Sequence, residues 1–338
     1  GATLFIGDVG RPDLAQKGTL TMEGLAGMLY DSLRTKIMTL PDEVIVYPGH
    51  GAGSACGKNM STETTDLLGN QKKNNYALRA DMTREEFVHE VTDGLLPPPQ
   101  YFAKNAAMNK AFVSGVEEVL AKGSVPLDVE TFEAMAKHEG ALVLDTRDKD
   151  EFVKGHIPGS MFIGLDGTFA PWVGALVSDL HQPIVFLAPE GREEEVVIRL
   201  SRVGYDNTMG FLKGGMEAWE AAGKESDTME SISVEEFDTR MKAGKLDLLD
   251  VRKPGEFEAE HVENAVTFPL DYINSNMDKI SPDVTYYAYC ATGYRSVIAA
   301  SIFKARGLNG VVNVEEGFTG MAETDIPTTA YVCPSTLK

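Results

Sequence analysis

The sequence has few cysteines, no long apolar run and a deficit of positive charge, and each shortage excludes a class of protein. Three cysteines in 338 residues, an odd number, do not make a disulfide framework and are typical of a reducing, cytoplasmic compartment. No apolar stretch is long enough to cross a bilayer, which argues against a membrane segment. With 51 acidic and 31 basic residues, the formal net charge of −20 argues against nucleic acids and anionic membranes as partners.

The remaining composition is that of a globular protein, with 43% hydrophobic and 24% charged residues. The length predicts two or three domains. No signal peptide is recognisable, and because the sequence begins at Gly1 rather than at a methionine, targeting stays open.

The most informative feature is an internal repeat with a spacing of about one hundred residues. ALVLDTRDKDEFVKGHIPGSMFIGL at 141–165 matches LDLLDVRKPGEFEAEHVENAVTFPL at 246–270, and 183–204 matches 285–307. Short apolar runs alternate with helical segments in both halves, which predicts two parallel-sheet α/β domains. The paired positions are Asp145 and Asp250, Arg147 and Arg252, Glu151 and Glu256, Phe152 and Phe257, and His156 and His261.

The two copies differ in one loop, which reads CATGYRS at 290–296 in the second copy. Matching Gly191 with Gly293 places Ala188 opposite Cys290 and Glu193 opposite Arg295. A loop that holds a nucleophile needs positive potential, and the three glutamates at 193–195 supply the reverse. We therefore predict that the first copy is inactive and that the second is active.

The loop at Cys290 combines features that favour a reactive sulfur. An apolar strand ending at Tyr289 would deliver Cys290 to the carboxyl edge of the sheet, where ligands usually bind. The small residues that follow can point successive backbone N–H groups inward as an anion nest, and a helix over 296–305 would turn its positive end to the same place. Together with Arg295, these groups should favour thiolate over thiol and accept a transferred anionic or polarised sulfur. The alternative is a buried, inert cysteine at a strand end. The predicted site comprises Cys290 and Arg295 as catalytic residues and Ala291, Thr292, Gly293, Tyr294 and Ser296 as the persulfide loop.

Residues 125–331 resemble tandem rhodanese domains, which are sulfurtransferases that carry sulfur as a cysteine persulfide. The CATGYRS loop and the upstream DVR…EF…H pattern carry the resemblance. Four residues separate Cys290 from Arg295, a cradle that suits a sulfur atom, whereas cysteine phosphatases of similar fold use a longer loop. Phosphatase activity is therefore the weaker interpretation. Asp250 and Arg252 are interpreted as an ion pair or cap at the strand end, and His261 as a structural residue.

The first hundred residues contain two further candidate strands. TLFIGDVGRPDL at 3–14 predicts a strand that runs into a polar loop, TMEGLAGMLYDSLRTKI at 21–37 predicts a helix, and EVIVYPGHGAGSACGK at 43–58 predicts another strand. Asp8 and His50 would then lie at strand ends, and both side chains can bind metals. Ordinary turn chemistry is the alternative for each residue.

GDVGRPDL followed by YPGHGAGSACG resembles the second half of a metallo-β-lactamase-fold domain, most closely that of the persulfide dioxygenases fused to rhodanese domains. The resemblance implies that Asp8 binds Fe(II) in a two-histidine, one-carboxylate site and that His50 closes the pocket, as a ligand of a second metal in hydrolase relatives. It makes Arg11 a contact for substrate and Cys56 a pocket thiol that relays sulfur, with a small buried hydrophobic role as the alternative for Cys56. The family motif H-x-H-x-D-H is absent from the sequence. The ligand set is thus incomplete, and we expect the first half of this domain to be removed or to lie outside the sequence.

These observations predict an α/β fold: the C-terminal half of a metallo-β-lactamase αββα sandwich at 1–120, a rhodanese-like domain without the catalytic cysteine at 121–226, and an active rhodanese domain at 227–338. We call residues 121–226 the first copy and residues 227–338 the second copy. Cys333, in the terminal tail, is expected to be non-catalytic.

The predicted function is bifunctional. An iron persulfide dioxygenase would oxidise a persulfide such as glutathione persulfide to sulfite, and Cys290 would exchange sulfur with sulfite, thiosulfate or a thiol, in a homo-oligomer. One alternative is a zinc thioester hydrolase of glyoxalase II type fused to rhodanese. Others are a sulfurtransferase alone, if the missing half is absent, and a non-catalytic scaffold in which the first copy is a docking surface.

Overall fold

The computed structural model describes residues 2–15, 19–51, 56, 57, 60–95, 102, 107, 108 and 115–332. The chain divides into two compact units, Gly1–Lys104 and Asn105–Lys338. Cys333 lies outside the described residues. None of the described helices combines the length and the apolar character that crossing a bilayer requires.

The first unit packs the three α-helices that the structure describes there around a small apolar core. Thr21 accepts a hydrogen bond from the Gly24 N–H and starts the predicted helix at 21–37, which is confirmed. Thr83 and Glu86 form a capping box at the start of the helix Arg84–Thr92. The elements are α1 Met22–Ser32, continued by a π-helical segment Leu33–Ile37, then β1 Ile45–Val46, β2 Asp66–Leu67, α2 Leu68–Asn74 and α3 Arg84–Thr92, with 3-10 turns at Pro12–Ala15 and Tyr76–Leu78.

The strand predicted within residues 3–14 is wrong. The backbone turns back on itself there, with the Phe5 N–H donating to the Asp8 carbonyl at 3.0 Å and Gly7 at φ +78°. The turn leaves only an isolated antiparallel bridge between Leu4 and Val9. The second predicted strand is confirmed only over Ile45–Val46, which pairs with β2. Asp8 therefore sits in a turn, and its position does not come from the end of a strand.

The second unit contains two parallel five-stranded sheets, as the repeat predicted. The strand order is β3-β7-β6-β4-β5 in the first copy and β10-β9-β11-β12-β8 in the second. The elements of the first copy are α4 Val116–Gly123, β3 Pro126–Leu127, α5 Val129–His138, β4 Leu142–Asp145, α6 Lys149–Lys154, β5 Met161–Phe162, α7 Phe169–Leu176, β6 Ile184–Leu187, α8 Glu193–Ser201, β7 Thr208–Leu212 and α9 Gly215–Ala221. Those of the second copy are β8 Ser231–Ile232, α10 Val234–Ala243, β9 Asp247–Asp250, α11 Pro254–Ala259, β10 Val266–Thr267, a 3-10 turn Leu270–Tyr272, α12 Ile273–Asn276, a 3-10 turn Met277–Lys279, β11 Tyr286–Tyr289, α13 Tyr294–Ala305, β12 Val311–Val314 and α14 Gly317–Met321.

The two copies share one buried core. Helix α13 packs on β11 and β12 of its own sheet and on β5 and α6 of the first copy. Its residues Ile298 and Phe303 are fully buried in the same cluster as Phe162 and Val173 of the first copy. The helix that follows the Cys290 loop is therefore anchored on both sides by apolar burial.

An aspartate–arginine pair lies at the carboxyl end of β4 in the first copy and of β9 in the second copy. The Arg252 Nη2 lies 2.6 Å from the Asp250 Oδ2 and also donates to the Glu260 carbonyl, and both side chains are buried. Arg147 holds Asp145 at the same 2.6 Å in the first copy. The interpretation of Asp250 and Arg252 as a structural ion pair is confirmed.

Candidate active site

Cys290 follows β11 directly, at the carboxyl edge of the parallel sheet. Helix α13 begins at Tyr294, two residues earlier than predicted, so Arg295 and Ser296 belong to its first turn. Gly293 precedes the helix with φ +87°, a conformation that side chains rarely adopt. The whole segment from sulfur to guanidinium is therefore a short loop between a buried strand and a buried helix.

Two backbone hydrogen bonds orient the peptide groups of the loop. The Phe318 N–H donates to the Cys290 carbonyl at 2.7 Å, and the Thr319 N–H donates to the Ala291 carbonyl at 3.0 Å. In a trans peptide the N–H points opposite to the C=O, so the N–H groups of Ala291 and Thr292 face away from Phe318 and Thr319. This orientation is the one that an anion nest around a sulfur requires.

Two glycines allow the backbone after β12 to reach this loop. A Cβ on Gly293 would lie 2.0 Å from the Glu315 carbonyl oxygen, and one on Gly317 would lie 2.3 Å from the Cys290 carbonyl oxygen. Both separations are far below ordinary contact distance. The close approach that makes the two hydrogen bonds possible therefore requires glycine at both positions.

Ser296 supplies a hydroxyl to the loop. Its Oγ lies 3.6 Å from the Cys290 sulfur and 3.0 Å from the Gly293 carbonyl oxygen, and the residue is fully buried. A hydroxyl carries one proton and donates to one of these acceptors at a time. Ser296 can thus hold the loop closed or donate to a sulfur anion.

Arg295 is clamped by Glu256, a residue that the sequence analysis paired with Glu151 but did not assign to the site. The Arg295 Nη1 and Nη2 donate to the two carboxylate oxygens of Glu256 at 2.7 and 2.8 Å. Burial opposes ionisation of Glu256, but Arg295 outweighs it and holds the pKa of this carboxyl below its ordinary value. Its match with Glu151 in the repeat was the only signal for Glu256 in the sequence, and the structure places Glu256 at the N3 position of α11.

The charge of Arg295 also acts on Cys290. Burial lowers the pKa of Arg295, but hydrogen bonds and charge from Glu256 and from the Cys290 sulfur raise it above its ordinary value. Arg295 therefore keeps its proton next to the sulfur. Because Glu256 balances part of its charge, the site is less positive than the sequence alone predicted.

The sulfur itself is enclosed. Cys290 is 1% exposed, and Ala288 and Val297 beside it are fully buried. A thiol in this position is protected from bulk oxidants, and a donor molecule reaches it only when neighbouring side chains move. The bidentate guanidinium, the serine hydroxyl and the oriented amides nevertheless distinguish it from an inert core cysteine.

The corresponding loop of the first copy keeps the backbone shape and loses the chemistry. Gly191 has φ +77° and precedes a helix, as Gly293 does, but Ala188 takes the place of the thiol. Arg192 lies 2.7 Å from Asp166 and 2.8 Å from Glu195, so the charges of this loop pair with each other. Nothing in the described loop can act as a sulfur nucleophile.

Asp8, Arg11 and Cys56 lie in one neighbourhood of the first unit. Asp8 is 1% exposed, and its Oδ1 accepts hydrogen bonds from the Val9 N–H at 2.7 Å and the Tyr76 hydroxyl at 3.0 Å. Arg11 donates twice to Asp13 and, through its N–H, to the Cys56 carbonyl at 3.1 Å. His50 is exposed and contacts the Phe5 ring edge-on, with ring centroids 5.9 Å apart.

These residues do not complete a metal site. Among the described residues, no group of three or more histidine, cysteine, aspartate or glutamate side chains could hold a metal ion. Asp8 directs one carboxylate oxygen to hydrogen-bond donors of its own surroundings. The donor set within the described chain therefore does not fit Fe(II), which needs three protein ligands in the predicted arrangement.

Comparison with known proteins assigns a family to more than half of the chain. The model of the Rhodanese-like domain family matches residues 128–222 and 233–324. The uncharacterized protein YqhL of Bacillus subtilis (strain 168) is 34% identical over 90 residues, which are 27% of this chain and 70% of YqhL. The probable adenylyltransferase/sulfurtransferase MoeZ of Mycobacterium tuberculosis (strain CDC 1551 / Oshkosh) is 36% identical over 81 residues, which are 23% of this chain and 21% of MoeZ.

One similar solved structure covers more of the chain. It is that of a metallo-beta-lactamase from Staphylococcus aureus subsp. aureus COL, with 26% sequence identity and a TM-score of 0.49. The similarity covers 63% of this chain and 56% of that chain.

Proposed function

The chain belongs to the Rhodanese-like domain family, and from this membership we propose that it is a sulfurtransferase that carries sulfur as a persulfide on Cys290. One observation carries the proposal: the loop at 290–296, which holds the thiol that the matched loop of the first copy lacks, also holds a clamped guanidinium, a serine hydroxyl and oriented amides. This arrangement fits a sulfur that alternates between thiolate and persulfide anion.

The proposed reaction has two displacements and needs no external oxidant. The Cys290 thiolate attacks the outer sulfur of thiosulfate, the S–S bond of thiosulfate breaks, and sulfite leaves with the bonding electron pair. An acceptor nucleophile, either sulfite or a thiolate, then attacks the outer sulfur of the persulfide. The sulfur–sulfur bond on Cys290 breaks, and the Cys290 thiolate is regenerated with its electron pair. With a glutathione persulfide donor, the glutathione thiolate is the leaving group instead of sulfite.

Three groups near Cys290 can stabilise the negative charge on its sulfur in the thiolate and in the persulfide anion: Arg295, Ser296 and the amides of the loop. Arg295 stays protonated because Glu256 pairs with it, so a cation remains beside the sulfur throughout. The Ser296 hydroxyl can turn from the Gly293 carbonyl to the sulfur anion. The Ala291 and Thr292 amides supply donors that require no reorganisation, because the contacts with Phe318 and Thr319 fix them.

The direct test measures sulfur transfer by a variant without the Cys290 thiol, and the covalent addition of sulfur to the parent protein. In the thiosulfate-to-cyanide assay we expect C290S to lower turnover by roughly 10³-fold or more, because the nucleophile is lost. The intact mass of the parent protein after incubation with thiosulfate should increase by one sulfur atom, on the peptide that contains Cys290.

The matched control is C333S, which changes a cysteine of the terminal tail and should leave turnover and the mass increase unchanged. Unchanged turnover in C290S would move catalysis elsewhere. A parent protein without turnover and without the mass increase would favour the scaffold alternative.

We further propose, on the resemblance of GDVGRPDL and YPGHGAGSACG alone, a persulfide dioxygenase function for the first unit. The burial of Asp8 and the hydrogen bond from the backbone N–H of Arg11 to the Cys56 carbonyl support a polar site there. Because the described residues do not complete an iron site, this function needs ligands beyond them. The cytoplasmic setting and the homo-oligomer stay predictions from the sequence.

Metal analysis separates the dioxygenase from its rival. Protein supplied with Fe(II) should consume O₂ and release sulfite from glutathione persulfide. Thioester cleavage with two bound zinc ions would instead support the glyoxalase II type hydrolase. If neither activity appears, the sulfurtransferase remains as the activity of the chain.

A further inference from the structure

Tyr294, the first residue of helix α13, leaves its own domain and inserts into the first copy. Its hydroxyl donates to the Gly164 carbonyl at 2.8 Å. Its ring stands edge-on to Phe162, with centroids 5.9 Å apart and an interplanar angle of 73°. Tyr294 is thus held by a segment of the inactive copy, residues 162–167, which we call the Tyr294 socket. Three residues along the chain separate Tyr294 from the reactive sulfur of Cys290.

The socket exists because two of its residues have no side chain. A Cβ on Gly167 would lie 2.2 Å from the Tyr294 Cζ and 2.3 Å from its hydroxyl oxygen, and one on Gly164 would lie 3.2 Å from the Cε2. Neither glycine has a positive φ, so these positions need glycine for space rather than for backbone conformation. The repeat places Pro269 and Tyr272 at the corresponding positions of the second copy. The first copy therefore has no side-chain bulk at the two positions where the ring of Tyr294 inserts.

Charged residues of the inactive loop hold the socket in place. Arg192 binds Asp166 within the socket at 2.7 Å, and Arg199 donates to the Leu165 carbonyl at 2.7 Å. Glu195 joins the two arginines, at 2.8 Å from each. Glu195, one of the glutamates that make this loop unfit for a nucleophile, thus belongs to a network of ion pairs around the segment that receives Tyr294.

A second bond fixes the middle of the same helix. The N–H of Phe162, on the edge strand β5, donates to the Ser301 Oγ at 3.0 Å, and both residues are fully buried. The hydrogen bonds of Tyr294 and Ser301 together fix the position of α13 along its own axis relative to the first copy. Arg295 and Ser296 belong to the first turn of α13, so the position of this helix sets their distances from Cys290.

We infer that the inactive copy is a positioning domain, whose socket for Tyr294 holds the first turn of α13 and thereby Arg295 and Ser296 at the sulfur. The inference rests on the proposed sulfurtransferase function. It gives the first copy an intramolecular role, distinct from a docking surface for another protein. Tyr294 and Gly167 act through the loop, so they are positioning residues and not catalytic ones.

The test fills the socket. In G167A the added methyl group should displace Tyr294, and because misplacement by about 1 Å can cost on the order of 10²-fold, we expect a loss of roughly 10- to 100-fold in kcat for sulfur transfer. The matched control is G244A, where an added Cβ meets no atom within 4 Å and the backbone is extended, with φ 175°. G244A should keep parental kcat. A G167A protein that folds and keeps parental kcat would overturn the inference.

Coupling between the two positions gives a readout that a general loss of stability does not produce. Y294A should lower kcat by itself, and G167A should then have no further effect in the Y294A background, because the ring that it displaces is gone. Independent, multiplicative losses would contradict the socket. If G167A does not fold, Y294F still decides: loss of the single bond to Gly164 should lower kcat by about 2- to 10-fold, and parental kcat in Y294F would then count against positioning.

Failure of the proposed function remains distinguishable from failure of the inference. The rate of Cys290 alkylation by iodoacetamide, followed on the Cys290 peptide as a function of pH, reports the surroundings of the sulfur without any turnover. If the parent transfers no sulfur, the proposed function fails, while a shifted alkylation profile in G167A and not in G244A still supports positioning. An identical profile in the parent and in G167A overturns it.

Discussion

The two copies retain the same frame and differ in the chemistry at one loop. Each copy has a buried aspartate–arginine pair at 2.6 Å and a glutamate in a capping box. Each also has a histidine whose Nδ1 is hydrogen-bonded to the carbonyl of a phenylalanine four residues earlier, His156 at 2.8 Å and His261 at 2.7 Å. At the matched positions, the second copy has the thiol of Cys290 and the guanidinium of Arg295, where the first copy has Ala188 and Glu193.

Comparison of the two copies within one chain distinguishes residues that maintain the fold from residues that take part in sulfur transfer. A residue that persists in the copy with Ala188 cannot be retained for sulfur transfer by that copy. The aspartate–arginine pair and the histidines therefore belong to the frame. Glu256 is the exception, because the same capping position acquires a second role only where an arginine stands opposite it.

We expect the largest effect on stability from substitutions that remove the charge of the paired aspartate in one copy at a time. D145N and D250N each leave a buried arginine without its anion, and we expect each to lower the free energy of unfolding by about 3–5 kcal/mol. Both tryptophans, Trp172 and Trp219, lie in the first copy, so tryptophan fluorescence in urea reports D145N, and far-UV circular dichroism with residual activity reports D250N. If D250N kept the parental stability but lost sulfur transfer, the pair of Asp250 and Arg252 would have a catalytic role, which would contradict its assignment to the structural frame of both copies.

The next effect distinguishes the two capping glutamates. E256Q weakens the clamp on Arg295, and we expect kcat for sulfur transfer to fall about tenfold, equivalent to about 1.4 kcal/mol. E151Q, the matched variant in the first copy, should keep parental kcat and lose only part of a helix cap, at about 0.5–1 kcal/mol of stability. Equal effects of E256Q and E151Q on kcat would show that the clamp has no catalytic consequence.

A smaller effect depends on pH and concerns the first copy. Burial lowers the pKa of His156, against the smaller opposite effects of the Phe152 carbonyl and Asp227. Below about pH 6.5, His156 binds a proton in the unfolded chain but not in the folded chain. The free energy of unfolding therefore decreases as the pH is lowered, until the pH reaches the lower pKa of His156 in the folded chain. The slope is at most about 1.4 kcal/mol per pH unit. H156Q should have a shallower slope in urea unfolding followed by tryptophan fluorescence, and an unchanged slope would assign the effect to other groups.

For the last variant, a cysteine introduced into the first copy, we expect no effect on sulfur transfer. In a C290S background, A188C restores a thiol to the first copy, but Glu193 and its neighbours leave it without a cation at the matched position. We expect no sulfur transfer above the C290S background in the thiosulfate-to-cyanide assay. Measurable transfer would show that the thiol alone separates the two copies, and that Arg295 and its clamp are dispensable.

The sequence predicted the second unit well and the first unit poorly, for a physical reason. A parallel strand buried on both faces is a continuous apolar run, and the repeat doubles this signal, so both sheets and the helix after Cys290 were recognisable. Residues 3–9 are just as apolar, but they close a turn through Gly7, and pattern alone does not distinguish the two. Glu256 was recognisable only as a position repeated from Glu151, because its partner Arg295 is 39 residues away.

By itself the sequence determined the repeat, the two parallel sheets, the place of Cys290 and the absence of a thiol from the first copy. These follow from local order and from the identity of single residues. Only the tertiary structure decided that the sulfur is enclosed, that Arg295 is held by Glu256, and that Tyr294 occupies a space left by two glycines of the inactive copy. Such contacts join residues far apart in the chain, and close packing in three dimensions, which no local pattern encodes, sets which of them meet.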